Sequence, residues 1–176
     1  MENQKSSSTS IMLNYGLILG FVSILLGVAN FAFGDVYEPH WSMQVVSGAA
    51  TIALIVLGLK KLKESNGNLL SLGEALKTGL GIALVSGVIY IIYFFVFVNY
   101  IEPDYFANLG KVQEAAMLEA YPNWSDEQME ASLEMAQKMS GFGMISAIVM
   151  IMSLLFGFVI SLIAGLIMKR TEEDNE

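Results

Sequence analysis

Asp35, Glu38 and His40 stand close together in a short polar stretch, and two carboxylates beside an imidazole are the donor types that hold a metal ion. Such a site also needs fixed geometry, and solvated loop charges are the ordinary use of these residues, so no metal centre is expected. The chain has no cysteine, and His40 is its one histidine, which removes thiolate ligands, disulfides and most imidazole chemistry together. Intramembrane proteolysis would need a serine paired with a histidine, or two aspartates, inside apolar segments. His40 lies at the edge of one such segment, and no His-Glu-x-x-His pattern occurs. Ion and proton carriers keep ionisable side chains at membrane depth, and the long apolar runs here contain no acid or histidine and one lysine, Lys77, at the start of the third. Their main polar residues are Asn14, Asn30, Gln44, Thr51, Ser86, Tyr90 and Tyr93. Asn14, Tyr90 and Tyr93 could bind a neutral solute, although interhelical hydrogen bonding is the commoner use of such groups. Asn123, Trp124 and Ser125 match a glycosylation sequon, a three-residue pattern that also arises by accident. These residues predict no catalytic site, no cofactor and no enzyme.

The elements that hold them follow from hydropathy. Of 176 residues, 55% are hydrophobic and 15% are charged, and the mean hydropathy is +0.57; a soluble domain carries about 25% charged residues. A charge-free run of about 20 apolar residues crosses a hydrocarbon core of roughly 30 Å as a helix. Four such runs are present, at 11–33, 42–59, 75–98 and 144–168, charge-free but for Lys77 near the start of the third. Lipid offers backbone groups no partners, and the runs lack the alternation of barrel strands. The predicted fold is therefore all-α: one membrane domain over residues 1–176, an integral membrane bundle of four transmembrane helices. The first run exceeds the roughly 7 to 15 residues of a signal-peptide core and reads as a retained span.

The loop 99–140 carries eight acids against two lysines and reads as a helical hairpin between the third and fourth spans. Pro103 suits a first helical turn, and Tyr105, Leu109, Val112 and Ala116 recur on one helix face. Tyr121 to Trp124 break that pattern. Ser125 with Gln128 makes a capping box, and Met129, Leu133, Ala136 and Met139 form a second apolar stripe, with a break expected at Gly141 or Gly143. On the other side of the bundle, Asn66, Gly67 and Asn68 are turn residues, Ser71 with Glu74 makes another capping box, and Glu74 stands at pairing distance from Lys77 along the helix. Residues 171–176 form an acidic tail too short to fold alone.

Lys5, Lys60, Lys61, Lys63, Lys77, Lys169 and Arg170 flank one side of the spans, against Lys111 and Lys138 on the other. By the positive-inside rule both termini face the cytoplasm and the hairpin is extracytoplasmic, with Tyr37, Trp41, Tyr100, Tyr105 and Trp124 at the outer boundary. The inner lysines would also meet anionic lipid. A net charge of -8 and the lack of a basic stripe exclude a nucleic-acid partner.

Small residues mark one face of three spans: Gly16, Gly20, Ser23 and Gly27 on the first, Gly79, Ala83 and Gly87 on the third, Ser153, Gly157, Ser161 and Gly165 on the fourth. Helices in lipid associate through close backbone approach, so these are candidate helix-packing residues. They suit either contacts within the chain or contacts with a second copy or a membrane-protein partner.

The run Ser71, Leu72, Gly73, Glu74, Ala75, Leu76, Lys77, Thr78, Gly79, the acidic helical segment Ser125 to Gln137 and a last span closing on Lys169 resemble the domain of unknown function 4199 family of bacterial membrane proteins. The resemblance implies four helices in the bacterial cytoplasmic membrane with a helical outer loop, and it brings no activity, cofactor or catalytic residue. The expected function is that of a multi-pass inner-membrane accessory or interaction subunit without enzyme activity. The alternative is a channel or facilitator for a small neutral solute.

Overall fold

The computed structural model describes residues 2–170, with side chains from residue 8 onward. Lys5 as a charge and the acidic tail 171–176 lie outside the described residues. The order is α1 (Glu2–Phe33), α2 (Trp41–Ser65), α3 (Leu72–Val96), α4 (Tyr105–Ala120), α5 (Asp126–Met139) and α6 (Phe142–Met168), with a π-helical turn over Phe97–Ile101 prolonging α3. Four stretches are long and apolar enough to cross a membrane: Ser8–Phe33, Trp41–Ser65, Leu72–Ile101 and Phe142–Met168. Each outruns the charge-free segment expected from hydropathy, because helical hydrogen bonding continues through the polar turns at the ends.

Local chemistry explains the boundaries. His40 caps α2 by accepting from the Ser42 amide, and Asn66 closes the same helix. Gly67 and Asn68 both take φ of 65°, the left-handed region that glycine and asparagine enter most cheaply, which turns the chain sharply into α3. At the start of α3 the Ser71 amide donates to Glu74 Oε2 at 2.9 Å while the Glu74 amide donates to Ser71 Oγ at 3.3 Å. That reciprocal pair is the expected capping box. Ser125 and Gln128 form the other, at the start of α5.

Pro103 corrects the reading at α4: it precedes the helix, which begins at Tyr105. Having no N–H, it instead marks where the third span stops. The Glu102 amide reaches back to the Phe97 carbonyl at 2.9 Å, and Asn99 Nδ2 donates to the Phe95 carbonyl at 2.8 Å, so the last turn is wound wide. Glu74 also departs from expectation. Its carboxylate takes hydrogen bonds from Ser71 and Asn66, and no ion pair with Lys77 forms among the described residues.

The chain falls into two compact units, Met1–Tyr90 with Met150–Glu176, and Ile91–Val149. In the first unit a core of Ile11, Leu19, Ile55, Leu59, Leu62, Leu70, Ala75, Ile82 and Ala164 joins all four long helices. The central one is α3, 39% of whose apolar window is buried against 17% for each of the others. Where lipid is the solvent, hydrocarbon burial between helices gains little, and dispersion between closely fitted surfaces supplies the stability. The outward faces of α1 and α6 are accordingly large and apolar, with Leu17, Phe21, Leu25, Ile151, Leu155 and Ile163 all exposed.

One end of this unit is tied by polar contacts. Leu70 and Arg170 exchange backbone hydrogen bonds at 2.9 and 3.0 Å, and Lys63 Nζ donates to the Met168 carbonyl at 2.8 Å. A cation at the last turn of α6 satisfies an orphan carbonyl and complements the helix dipole.

Candidate functional site

The small residues of the first unit lie where its helices approach closely. A β-carbon on Gly16 would stand 2.6 Å from Val85 Cβ, and one on Gly20 would stand 2.9 Å from Ile89, so α1 lies against α3 on those two positions. On the other side of α3, a β-carbon on Gly79 would collide with the Ser161 side chain, one on Gly157 would stand 2.5 Å from Ala83 Cβ, and one on Gly165 would stand 2.8 Å from Ala75 Cβ. Gly87 completes this seam beside Met150 and Ser153. Ser153 Oγ donates across it to the Ala83 carbonyl at 3.0 Å. Ser161 is fully buried and donates to Gly157 of its own helix. Ser23 likewise bonds its own helix at Leu19, and Gly27 is half-buried on α1.

The segment Gly73 to Gly79 enters this arrangement at four points. Glu74 closes the capping box, Ala75 receives Gly165, Thr78 Oγ1 lies 3.4 Å from Ser8 Oγ, and Gly79 receives Ser161. Ala75 and Thr78 are wholly buried. The segment is thus a junction of α1, α3 and α6, a role that its spacing alone did not disclose.

Several polar residues of the first two spans are engaged locally. Asn14 is exposed on α1 and directs Nδ2 to Ser10 Oγ at 3.4 Å; Thr51 bonds its own helix at Ser47; Asn30 donates to the Asp35 carbonyl. In the first connection, the Asp35 carboxylate accepts from the amides of Tyr37 and Glu38 at 2.8 and 3.2 Å, and His40 Nδ1 lies 2.9 Å from Ser42 Oγ. These side chains shape the turn and start α2. Among the described residues no group of three or more His, Asp or Glu is placed to hold a metal ion.

The second unit carries a concavity. Helices α4 and α5 lie side by side as a hairpin, and an open groove of about 490 Å³ runs between them. Its walls include Phe106, Gly110 and Gln113 from α4 and Leu133, Ala136 and Gln137 from α5, with the charged pair Lys111 and Glu114 on the rim. Small residues at Ala107, Gly110 and Ala136 leave the space. Ser140 Oγ donates to Gln113 Oε1 at 3.2 Å, joining α4 to the residue that closes α5.

An aromatic cluster supports the base of the hairpin. Phe94 is buried, stacks on Phe142 at 5.8 Å, and meets the edges of Tyr105 and Phe106 at 5.7 and 6.3 Å. Phe97 adds an edge contact to Tyr105 at 5.8 Å. These geometries suit the ring quadrupoles. At the tip, Tyr121 and Trp124 stack at 4.0 Å, and the Ser125 hydroxyl of the sequon is spent as the α5 cap. Of this cluster the sequence reading used only Tyr105. The density of Phe94, Phe95 and Phe97 was the available signal.

A family model described as "Protein of unknown function (DUF4199)" matches residues 14–170. Comparison with curated proteins and with solved structures finds no match.

Proposed function

We propose that this chain, which belongs to the DUF4199 family of proteins of unknown function, is a non-enzymatic accessory or interaction subunit of the cytoplasmic membrane. Its four long helices anchor it, and its α4–α5 hairpin receives a membrane-protein partner. The observation that carries this reading is the groove of the hairpin. It is open, walled by apolar and small residues, and rimmed by groups of both charges, the mixed lining that recognition sites use. The small-residue faces support the same division of labour, since α1, α3 and α6 use them on each other.

The lysine distribution supports an orientation with both termini in the cytoplasm and the hairpin outside. A solute path gains no support from the placement of Asn14, whose amide meets Ser10 on an exposed flank.

The test is photocrosslinking in native membranes, with a photoreactive residue at Gln137 on the groove and another at Ile151 on the outward face of α6. The expected result is a discrete, heterologous protein adduct from Gln137 and only lipid adducts from Ile151. Lipid or solvent products alone from Gln137 would sink the proposal.

A further inference from the structure

Helix α5 is the most strongly amphipathic of the six, and its apolar residues divide between two flanks. Met129, Leu133, Ala136 and Ser140 lie along the side that meets α4. Glu127, Glu130, Glu134 and Lys138 occupy an exposed polar flank, where Lys138 pairs with Glu134 at 2.8 Å. The remaining flank holds Met135 and Met139, one turn apart, 63% and 48% exposed. Two residues separate Met135 from Gln137, about 200° of rotation at 3.6 residues per turn, so this flank faces away from the groove.

What lies on that flank is indicated by where the helix goes. Only Ser140 and Gly141 separate α5 from α6, a helix long and apolar enough to cross a membrane. In chain order, exposed apolar residues resume just past the break, from Met135 and Met139 on α5 to Met144 and Ile148 on α6. The exposed methionine flank therefore stands within five residues, in chain order, of Met144, where the exposed apolar residues of α6 begin. Close by in chain order, Tyr100 and Ile101 are exposed where the third span ends. An amphipathic helix of this kind lies in the headgroup zone with its apolar flank in the acyl boundary. Methionine, unbranched and polarizable, fits that irregular environment.

We infer that α5 is an interfacial helix, its Met135 and Met139 flank seated on the lipid surface and its acidic flank turned to water, so that the groove is held open at a fixed height beside the membrane. This inference rests on the membrane-spanning reading of α6 and not on the identity of any partner.

The chain has no native cysteine, so single-cysteine variants report without background. Met135→Cys, Met139→Cys, Glu130→Cys, Glu134→Cys and Ile151→Cys are spin-labelled in the full chain, reconstituted in phospholipid vesicles, and read by collision with oxygen and with a water-soluble nickel chelate. Every labelled position is exposed, so folding is not at stake. The expected result is several-fold lower nickel collision at 135 and 139 than at 130 and 134, with oxygen collision raised toward that of 151. Equal, water-like values at all four α5 positions would overturn the inference. So would shielding of 135 and 139 from both reagents, which would mean a protein neighbour. A water-like value at 151 would instead overturn the membrane reading beneath it, a failure distinguishable from the other two.

Discussion

Gly157→Val should lower the stability of the purified protein by at least about 2 kcal/mol, at the upper end of what overpacking a fitted interior costs. The reason is geometric. A β-carbon at this position would stand 2.5 Å from Ala83 Cβ and 3.4 Å from the Gly79 carbonyl oxygen, whereas unstrained carbon pairs sit about 3.5–4.0 Å apart. Neither neighbour is the far end of a flexible side chain, so relief requires α3 and α6 to separate. Separation also opens the contacts of Gly79 with Ser161 and of Gly165 with Ala75, and lengthens the Ser153 hydrogen bond to Ala83. Gly48→Ala is the matched control, because nothing lies within 4 Å of the added carbon. Denaturant titration in detergent micelles reads both; a Gly157→Val protein as stable as Gly48→Ala would mean that the seam is not packed as described.

The second large effect is expected at Phe94, and it should be confined to the other unit. Phe94→Ala removes a buried ring from its contacts with Phe142, Tyr105 and Phe106, a class of truncation that costs about 3–5 kcal/mol in a well-packed core. The ring joins the end of α3 to the first turns of α4 and α6. Its loss should raise amide exchange across residues 105–139 while residues 11–90 keep their protection, since the two groups belong to separate compact units. Phe94→Leu, which keeps part of the apolar volume but loses the ring stacking, should fall between. Unchanged exchange in α4 and α5 would show that the cluster does not anchor the hairpin.

The contrast between these two sites shows what was legible in the sequence. The four long helices were, because a charge-free apolar run in lipid has one backbone solution. Gly79, Gly157 and Gly165 were legible as a face, since a small residue every fourth position announces close approach. Their partner was not, because the same stripe serves a neighbour in the chain or in another copy. Both capping boxes were legible through their three-residue spacing, whereas the Glu74–Lys77 pair that the same spacing suggested does not form among the described residues, because Ser71 and Asn66 reach the carboxylate. Phe94 and Phe142 were hidden for another reason. Inside a run where every residue is apolar, no periodicity separates a ring in a cluster from a ring facing lipid. Lys63 was hidden likewise: charge counting assigns it to topology, and only the end of α6 beside it shows the carbonyl that it caps.

The groove depends on such tertiary detail as well. Met129, Leu133 and Ala136 predicted an apolar stripe on α5, but the space arises from Ala107 and Gly110 on the opposite helix. The spacing placed Met139 in the same stripe as Met129, Leu133 and Ala136 and left Met135 out. Met139 belongs instead with Met135 on a second flank.

At the centre of this account stands the claim that the small-residue faces are spent inside one chain, leaving the hairpin as the surface for others. Gly87 and Ser153 test it most directly, since a β-carbon on Gly87 would lie 3.5 Å from Ser153 Oγ. In a chain with no other cysteine, the double variant Gly87→Cys with Ser153→Cys is oxidised in native membranes and run without reductant. The account predicts an internal disulfide, with a monomer of altered mobility and no dimer from either single variant. A disulfide-linked dimer as the main product would contradict it.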